Sequence, residues 1–289
     1  MSEALPSFIS DQVLDASYFF LNLEPVKKEE LRVVCGGLEK CSPDYRLERE
    51  EFDYLGVEYV VSGQAKAIIG ERSENLRPGC VFGYMPHTYL RIESEGMYPL
   101  KKYFVDLSGA RAEQMFEESP LRGGGILEMA GSRWVEEIFR QLVKFGSPGG
   151  PRANRSCEML AEVLLMQIGE NEIDSEEAES PAYRSYRRCK ERIQGDYLRI
   201  SSVAELASFV RLDQAYIARL FKKYDDESPY RNLVRLKLGH AARLLLRERC
   251  SVKFAASEAG FGDAAHFSRV FKKAYGVSPA RFPESVKRG

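Results

Sequence analysis

The last third of this 289-residue chain holds two similar stretches, VAELASFVRLDQAYIARLFKKYDDESPYRNL at residues 203–233 and VKFAASEAGFGDAAHFSRVFKKAYGVSPARF at residues 252–282. Aligning RLFKK of the first with RVFKK of the second also aligns Asp213 with Asp263. Ala207 then pairs with Ala256 if the second stretch holds one extra residue in its turn. Such a repeat indicates two copies of one small structural unit.

Each copy has the pattern of a helix-turn-helix. In the first, an apolar helical face that includes Leu206 and Val210 precedes a turn, and Asp213 is a good N-cap for the next helix. In the second, Gly260 can take the positive φ of the turn and Asp263 is the cap. The alternative is a pair of ordinary amphipathic surface helices. The outer faces of the two second helices carry Gln214, Ala215, Ala218, Arg219 and Lys222 and, in the second copy, Ala264, Ala265, His266, Arg269 and Lys272.

The segment between the copies, residues 229–248, predicts a single helix with proline in its first turn. At about 1.5 Å per residue, its 20 residues span about 30 Å. One turn of B-DNA is about 34 Å long. A rod of this length can hold two recognition helices in successive major grooves.

Charge is divided unevenly along the chain, although the net charge of the whole is only −1. Residues 1–182 hold 19 Lys and Arg against 32 Asp and Glu, a net of −13, whereas residues 183–289 hold 23 against 11, a net of +12. A local excess of basic residues is what phosphate neutralisation requires. Residues 171–182 contain five acidic residues and no basic one, and we interpret them as a linker.

These features together resemble the DNA-binding domain of AraC/XylS-family transcription regulators, most specifically in GFGDAAHFSRVFKKAYGVSPARF at residues 260–282. The resemblance implies double-stranded DNA as a partner and base contacts from the outer faces of the two recognition helices. Two positions depart from the family pattern. Arg211 stands where the first turn often has glycine, which implies a strained turn, and Ala255 stands where isoleucine is usual, which implies a thinner core.

The residues on the outer faces of the two recognition helices can make different kinds of contact with DNA. Arg219 and Arg269 can each form two hydrogen bonds to guanine, and Gln214 can bind adenine or a phosphate. The four alanines offer only methyl contacts, so we expect some dependence on DNA shape. Six further basic residues have two interpretations: they contact phosphates, or they are solvated charges without a DNA contact. They are Lys222, Lys223, Lys272, Lys273, Arg231 and Arg281.

The first part of the chain has a different pattern. Between residues 30 and 107, short apolar runs alternate with turn signals, which is typical of a β-sandwich or barrel. The run at residues 59–65, followed by LRPGCVF at residues 76–82, resembles the cupin-like effector domains of bacterial regulators. Two amphipathic helices are predicted after it, one capped by Ser132 and one over residues 153–168. Their apolar stripes indicate either core packing or contact with a partner subunit.

Metal-dependent catalysis has little support in the sequence. The six cysteines form no CxxC pair, and the β-rich region holds one histidine, His87. Enzymatic cupins resemble one another in a cluster of histidines, where this chain has EEFDY at residues 50–54. We therefore expect no metal, no cofactor and no enzyme activity. A metal-free catalytic β-domain is the rival interpretation, and it lacks a nucleophile and base constellation.

The resulting hypothesis is a DNA-binding transcription regulator with a cupin-like domain at residues 1–170, a linker at 171–182 and a DNA-binding domain at 183–289. The resemblance implies control by a small-molecule effector, for which a polar metabolite such as a sugar is the first guess. The alternative is an effector-independent regulator whose first domain only dimerises. Candidate effector residues are Arg32, Tyr45, Arg46, Tyr59, Tyr84, His87 and Tyr89.

The other expected properties follow from the same hypothesis. We expect a homodimer, with RNA polymerase as a partner if the protein is an activator. We expect a cytoplasmic location. A secretory signal begins with basic residues, and this chain has none before Lys27. Its apolar stretches are also shorter than the roughly 20 residues of a membrane span.

Overall fold

The computed structural model describes the chain apart from residues 1–5, 7–8, 24–29, 96–98, 130–132, 171–172, 174, 179, 226, 248–249 and 288–289. The chain forms two compact units, Met1–Pro181 and Ala182–Gly289, called here the β unit and the helical unit. The predicted capping residue Ser132 lies outside the described residues.

The β unit contains two antiparallel sheets followed by helices, so the predicted fold class of this half is confirmed. Its strands are β1 (Val13–Phe20), β2 (Arg32–Cys41), β3 (Arg46–Arg49), β4 (Leu55–Ser62), β5 (Gln64–Ile69), β6 (Arg72–Leu76), β7 (Cys80–Tyr84), β8 (Leu90–Glu95), β9 (Lys101–Ser108) and β10 (Ile126–Glu128). The six-stranded sheet has the order β1-β2-β9-β4-β7-β10, and the four-stranded sheet has the order β3-β8-β5-β6.

The six-stranded sheet is covered on both faces. One face meets the four-stranded sheet, and the other packs against α1 (Ala110–Glu117), α2 (Arg133–Gly146) and α3 (Pro151–Glu170). Successive side chains of a strand point to opposite faces. In β4, Val57 and Tyr59 therefore pack toward the helices, whereas Val60 points between the sheets. This parity decides which polar side chains reach the interior of the sandwich.

The elements of the β unit that were not predicted include β1, α1 and β10. The edge strand β1 is at least partly exposed at every position except Phe19, so burial imposes no clear pattern on its sequence. Helix α1 has two turns, and β10 has three residues. Elements this short are held by packing rather than by their own sequence, which leaves little periodic signal to detect.

The helical unit consists of α5 (Pro181–Asp196), α6 (Val203–Val210), α7 (Gln214–Tyr224), α8 (Pro229–Arg247), α9 (Val252–Glu258), α10 (Ala264–Tyr275) and α11 (Phe282–Lys287). The predicted all-α fold with two helix-turn-helix motifs joined by a helix is confirmed. Within residues 171–182, predicted as a linker, Ser175–Ala178 form the short helix α4. Helix α5 begins at Pro181.

Candidate nucleic-acid interface and buried polar cluster

The first helix-turn-helix is formed by α6 and α7. Ser202 caps α6 by accepting a hydrogen bond from the Glu205 amide at 3.2 Å. Asp213 caps α7, because its Oδ1 accepts from the amides of Ala215 at 2.8 Å and Tyr216 at 3.2 Å. Capping of this kind stabilises a helix by about 1 kcal/mol. The two caps therefore fix where each helix of the motif begins.

The second helix-turn-helix, α9 and α10, repeats these devices. Ser251 caps α9, and Asp263 caps α10 by accepting from the amides of Ala265 at 2.9 Å and His266 at 3.1 Å. These hydrogen bonds to the charged form lower the pKa of Asp263. In the turn, Gly260 has φ +69°. The extra residue that the alignment required is Gly262, which precedes Asp263.

The two turns are built alike although their residues differ. In the first, the Leu212 amide donates to the Ala207 carbonyl at 3.1 Å, and in the second the Phe261 amide donates to the Ala256 carbonyl at 2.9 Å. Helix α8 also holds the second turn, because Lys237 Nζ donates to the Gly260 carbonyl at 2.9 Å. Burial lowers the pKa of Lys237.

All ten predicted DNA-reading side chains are exposed, while the opposite faces of their helices are buried. In α7 these side chains are Gln214, Ala215, Ala218, Arg219 and Lys222, and in α10 they are Ala264, Ala265, His266, Arg269 and Lys272. Arg219 lies over the ring of Tyr216, with its guanidinium carbon 5.7 Å from the ring centroid. The exposed faces carry basic and small side chains, which suits contact with a polyanion.

Within the β unit, four charged residues are buried between the two sheets: Glu39, Glu58, Lys102 and Asp106, called here the polar cluster. Lys102 Nζ lies 2.9 Å from Glu39 Oε2 and 2.8 Å from Glu58 Oε2. Burial alone lowers the pKa of Lys102, but the two carboxylates more than reverse this and hold it well above its ordinary value. Lys102 is therefore a charged ammonium between two carboxylates.

Two tyrosines and a cysteine complete the hydrogen bonds of the polar cluster. The Tyr84 hydroxyl donates to Glu58 Oε1 at 3.0 Å, and the Tyr18 hydroxyl donates to Glu39 Oε1 at 3.1 Å. Cys35 Sγ donates to Asp106 Oδ2 at 3.2 Å. Burial, and then the charge of Glu58, raises the pKa of Tyr84 well above its ordinary value, so it stays a neutral donor.

Asp106 is the unusual member of the polar cluster. Burial raises its pKa to about 7, partly opposed by the charge of Arg49 and by the bond from Cys35. Its second oxygen, Oδ1, is buried and accepts no hydrogen bond from the residues that the structure describes. A buried acceptor left unpaired costs about 1–3 kcal/mol, which a bound donor could recover.

A pH dependence of stability follows from Asp106. Its folded-state pKa of about 7 exceeds the ordinary value near 3.8, so the folded state holds the proton more tightly. The resulting stability is complete below about pH 4 and is lost as pH rises to about 7, by up to roughly 1.4 kcal/mol per unit. Asp106→Asn should remove this slope in urea unfolding followed by the fluorescence of Trp134, the chain's single tryptophan. An identical slope in the parent and the variant would contradict the assignment.

Beside β3, an open cavity of about 370 Å³ is lined by Ile9, Ser10, Glu48, Arg49, Glu50, Glu51 and Phe52. Pockets for small molecules start at about 300 Å³. Arg49 lines this cavity, and its charge also acts on Asp106 and Tyr84. Arg49 therefore connects the cavity electrostatically with the polar cluster.

Three of the seven predicted effector residues lie in the polar cluster or beside the cavity. Tyr84 binds Glu58, and the ring of Tyr45 is buried with its centroid 6.0 Å from Lys102 Nζ. Tyr89 donates to Glu48 of the cavity at 2.7 Å.

The structure does not bring the other four predicted effector residues to the cluster. Tyr59 stacks on Phe139 of α2, on the opposite face of the sheet, because its position in β4 has the wrong parity. Arg32 pairs with Glu158 of α3 at 3.0 Å. Arg46 pairs with Glu93 at the surface, and His87 is exposed beside Asp53.

Sequence reasoning missed the polar cluster, although a signal existed. Glu58 interrupts the apolar run LGVEYVV, and Asp106 interrupts YFVDL. A charge inside a strand that is otherwise apolar indicates either an exposed face or a buried partner. Strand pairing shows the partner here, because Glu39 lies directly opposite Lys102 and Cys35 directly opposite Asp106.

Other expected features concern metals and membranes. Among the described residues, no three or more His, Cys, Asp or Glu side chains are grouped so that they could hold a metal ion. No described helix has the length and apolar character needed to cross a bilayer.

Comparison with known proteins gives matches in both units. The AraC-like ligand binding domain matches residues 34–169, and a helix-turn-helix domain matches residues 206–285. The MmsAB operon regulatory protein of Pseudomonas aeruginosa is 30% identical over 85% of this chain and 80% of its own length. The Msm operon regulatory protein of Streptococcus mutans is 20% identical over 87% and 91%, and the raffinose operon regulator RafR of Pediococcus pentosaceus is 22% identical over 90% and 96%.

Proposed function

The chain belongs to the AraC family of transcription regulators and carries that family's ligand-binding domain, and from this premise we propose that a small polar metabolite held in the β unit controls its binding to DNA. The observation that carries the proposal is the combination of two capped recognition helices with exposed basic faces and a sandwich interior lined by charged groups. The first supplies a surface for DNA, and the second supplies donors and acceptors for a ligand.

On DNA, α7 and α10 enter two successive major grooves, joined by α8. The 19 residues of α8 span about 28 Å at 1.5 Å each, close to the roughly 34 Å of one DNA turn. Arg219 and Arg269 read guanine through paired hydrogen bonds. Lys222 and Lys272 lie in the last turns of their helices and bind phosphates.

Arg219→Ala and Arg269→Ala are each expected to relax sequence preference by about 1–3 kcal/mol at one base position. Lys272→Ala is the matched control, since it should weaken binding to all sequences alike. It should also lower the slope of log K against log salt concentration by about 0.9, the value of one phosphate contact. Selection of fragments from random duplex DNA, followed by binding at several salt concentrations, measures both effects. Unchanged preferences in both arginine variants would contradict the assignment of the recognition helices.

The effector we propose is neutral and rich in hydroxyl groups, and a sugar is the first candidate. Glu39 and Glu58 balance the cations Lys102 and Arg49, and Asp106, with its pKa of about 7, adds a partial negative charge at neutral pH, so no net positive charge favours an anionic ligand. Carboxylates accept hydrogen bonds from hydroxyls, and the ammonium and guanidinium donate to them. One relative is described as the regulator of a raffinose operon, which supports the same class.

A neutral sugar that fits should raise the unfolding temperature of the β unit, by an amount equivalent to about 2.7 kcal/mol at 100 times its Kd. Trp134 fluorescence reports this unit without contribution from the helical unit. Arg49→Gln should abolish the shift, and Arg46→Gln is its matched control because Arg46 lies on the same strand but faces Glu93 at the surface. No response to neutral sugars, or equal loss in both variants, would count against this effector class.

A homodimer formed through α3 is part of the proposal. Met159, Val163 and Met166 are 53%, 45% and 64% exposed and recur at intervals of four and three residues, so they form one apolar stripe. A second copy of the stripe is a suitable cover. Sedimentation of Met159→Glu/Met166→Glu should show monomers, whereas the exposed Arg152→Glu control stays dimeric.

The second candidate function, an effector-independent regulator that only dimerises, rests on the same stripe. It requires that the purified protein retard a promoter fragment equally with and without cell extract. An effector-controlled protein responds to the extract, which distinguishes the two.

A further inference from the structure

The turn of the first helix-turn-helix contains a strained residue. Arg211 ends α6 with φ 53° and ψ 49°, the left-handed region that side chains with a Cβ rarely adopt. Among the described residues, only His87 and Arg211 have a positive φ without being glycine. Strain of this kind persists only where the surrounding structure imposes it, and such residues are concentrated at functional sites.

The second turn has glycine at the position that corresponds to Arg211. Gly260 occupies the place of Arg211, since the hydrogen bonds of Leu212 to Ala207 and of Phe261 to Ala256 close the two turns alike. A Cβ added to Gly260 would lie 2.7 Å from the Leu198 carbonyl oxygen and 2.9 Å from Lys237 Nζ. The second turn is therefore packed inside the unit, and glycine relieves both the strain and the crowding.

The Arg211 side chain contributes nothing visible to the fold. It is exposed, and no described residue pairs with its guanidinium. The neighbouring carbonyl, that of Val210, is already bound by Arg188 Nη2 at 2.7 Å, so the turn does not need Arg211 as a cap. The exposed guanidinium of Arg211 is therefore accessible to a partner outside the unit.

Arg211 lies close to the start of the recognition helix of the first motif. It stands two residues before Asp213, the cap of the recognition helix, and three before Gln214, whose exposed side chain faces the DNA in the proposed function. Residues at the start of a recognition helix contact base edges, and the flanking residues reach the phosphates on either side. Guanidinium binds phosphate oxygens through two parallel hydrogen bonds.

We infer that Arg211 is a phosphate-binding residue of the first helix-turn-helix, retained in a strained turn because its guanidinium clamps the DNA backbone beside α7. The inference rests on the DNA-binding role proposed above. It makes the two copies unequal: the first turn binds DNA, whereas the second turn is held by the protein through Lys237.

Three substitutions separate the charge from the strain. Arg211→Gly removes both, Arg211→Asn keeps a side chain that tolerates the left-handed region, and Arg211→Lys keeps the charge and the strain. Each is made in the full chain and measured on a duplex fragment that the parent protein selects from random DNA. Arg243→Gln is the control, because Arg243 is an exposed arginine of α8 outside both turns.

We expect the Gly and Asn variants to bind several-fold more weakly to every sequence, with a salt slope lower by about 0.9, the value of one phosphate contact. Their helical units should unfold at the same temperature as the parent or higher, and Arg211→Lys should keep the parent's slope. Parent-like slopes in the Gly and Asn variants, the same loss in Arg211→Lys, or an equal loss in Arg243→Gln would each overturn the inference. If the parent selects no sequence at all, the DNA-binding proposal fails first and this inference fails with it.

Discussion

Lys102→Met is expected to destabilise the β unit by about 3–5 kcal/mol, the usual cost of removing one partner from a buried ion pair. Lys102 is only 3% exposed and lies within 3 Å of both Glu39 and Glu58. Without it, two carboxylates remain in the interior of the sandwich with two tyrosine hydroxyls as their donors. Neither carboxylate can turn to water, because Glu39 and Glu58 are themselves buried.

Urea unfolding followed by Trp134 fluorescence measures this effect in the β unit alone. Lys40→Met, at an exposed lysine of the neighbouring strand β2, is the matched control and should change stability by less than about 0.5 kcal/mol. Replacing all three charges, as Glu39→Gln/Glu58→Gln/Lys102→Met, should recover much of the loss because no uncompensated charge is left. A triple variant no more stable than the single one would show that packing, not charge, holds this site.

Phe271→Ala is expected to destabilise the helical unit by about 3–5 kcal/mol and to abolish sequence-specific DNA binding. Phe271 is fully buried in α10, and its ring centroid lies 5.4 Å from that of Phe267, 4.5 Å from that of Tyr275 and 5.2 Å from that of Phe282. The same core also holds alanines of α9, among them Ala255, and Leu238 and Leu245 of α8. The alanines cannot extend into the cavity that the lost ring would leave, so a cost in this range is expected.

Far-ultraviolet circular dichroism measures the loss, because Trp134 lies outside the helical unit. Phe254→Ala is the control: Phe254 belongs to α9 of the same motif but is 46% exposed. It should cost under about 1 kcal/mol. Near-parental stability and binding in Phe271→Ala would contradict the view that aromatic packing compensates for the alanines of α9.

Ala255 illustrates how far the sequence could lead. Ala255 stands where the related regulators usually have isoleucine, which implied a thin core under the second motif. The structure shows that this alanine is fully buried. The spacing within α10 predicts that Phe267 and Phe271 pack inward, and both are buried in this core, whereas Phe282 could not be assigned to it from the sequence. Phe282 lies beyond α10, and only the return of α11 against α8 brings it back.

Tyr59 and Tyr84 show the corresponding limit in the β unit. From the sequence, both are tyrosines in predicted strands and both were candidate effector residues. The parity of each strand relative to the sheet places Tyr84 beside Glu58 and turns Tyr59 toward Phe139. Gly56 completes the arrangement, since a Cβ there would lie 2.2 Å from the Tyr84 ring.

The sequence by itself determined the two helix-turn-helix motifs and their caps, because each is made by residues close together in the chain whose hydrogen bonds and apolar spacing are local. It also determined the division of charge between an acidic and a basic half. Only the tertiary structure decided the polar cluster. Glu39, Glu58 and Lys102 come from three strands, and their meeting depends on the register between β2, β9 and β4. A shift of one residue would turn these charges to the other face of the sheet, and no local pattern specifies that register.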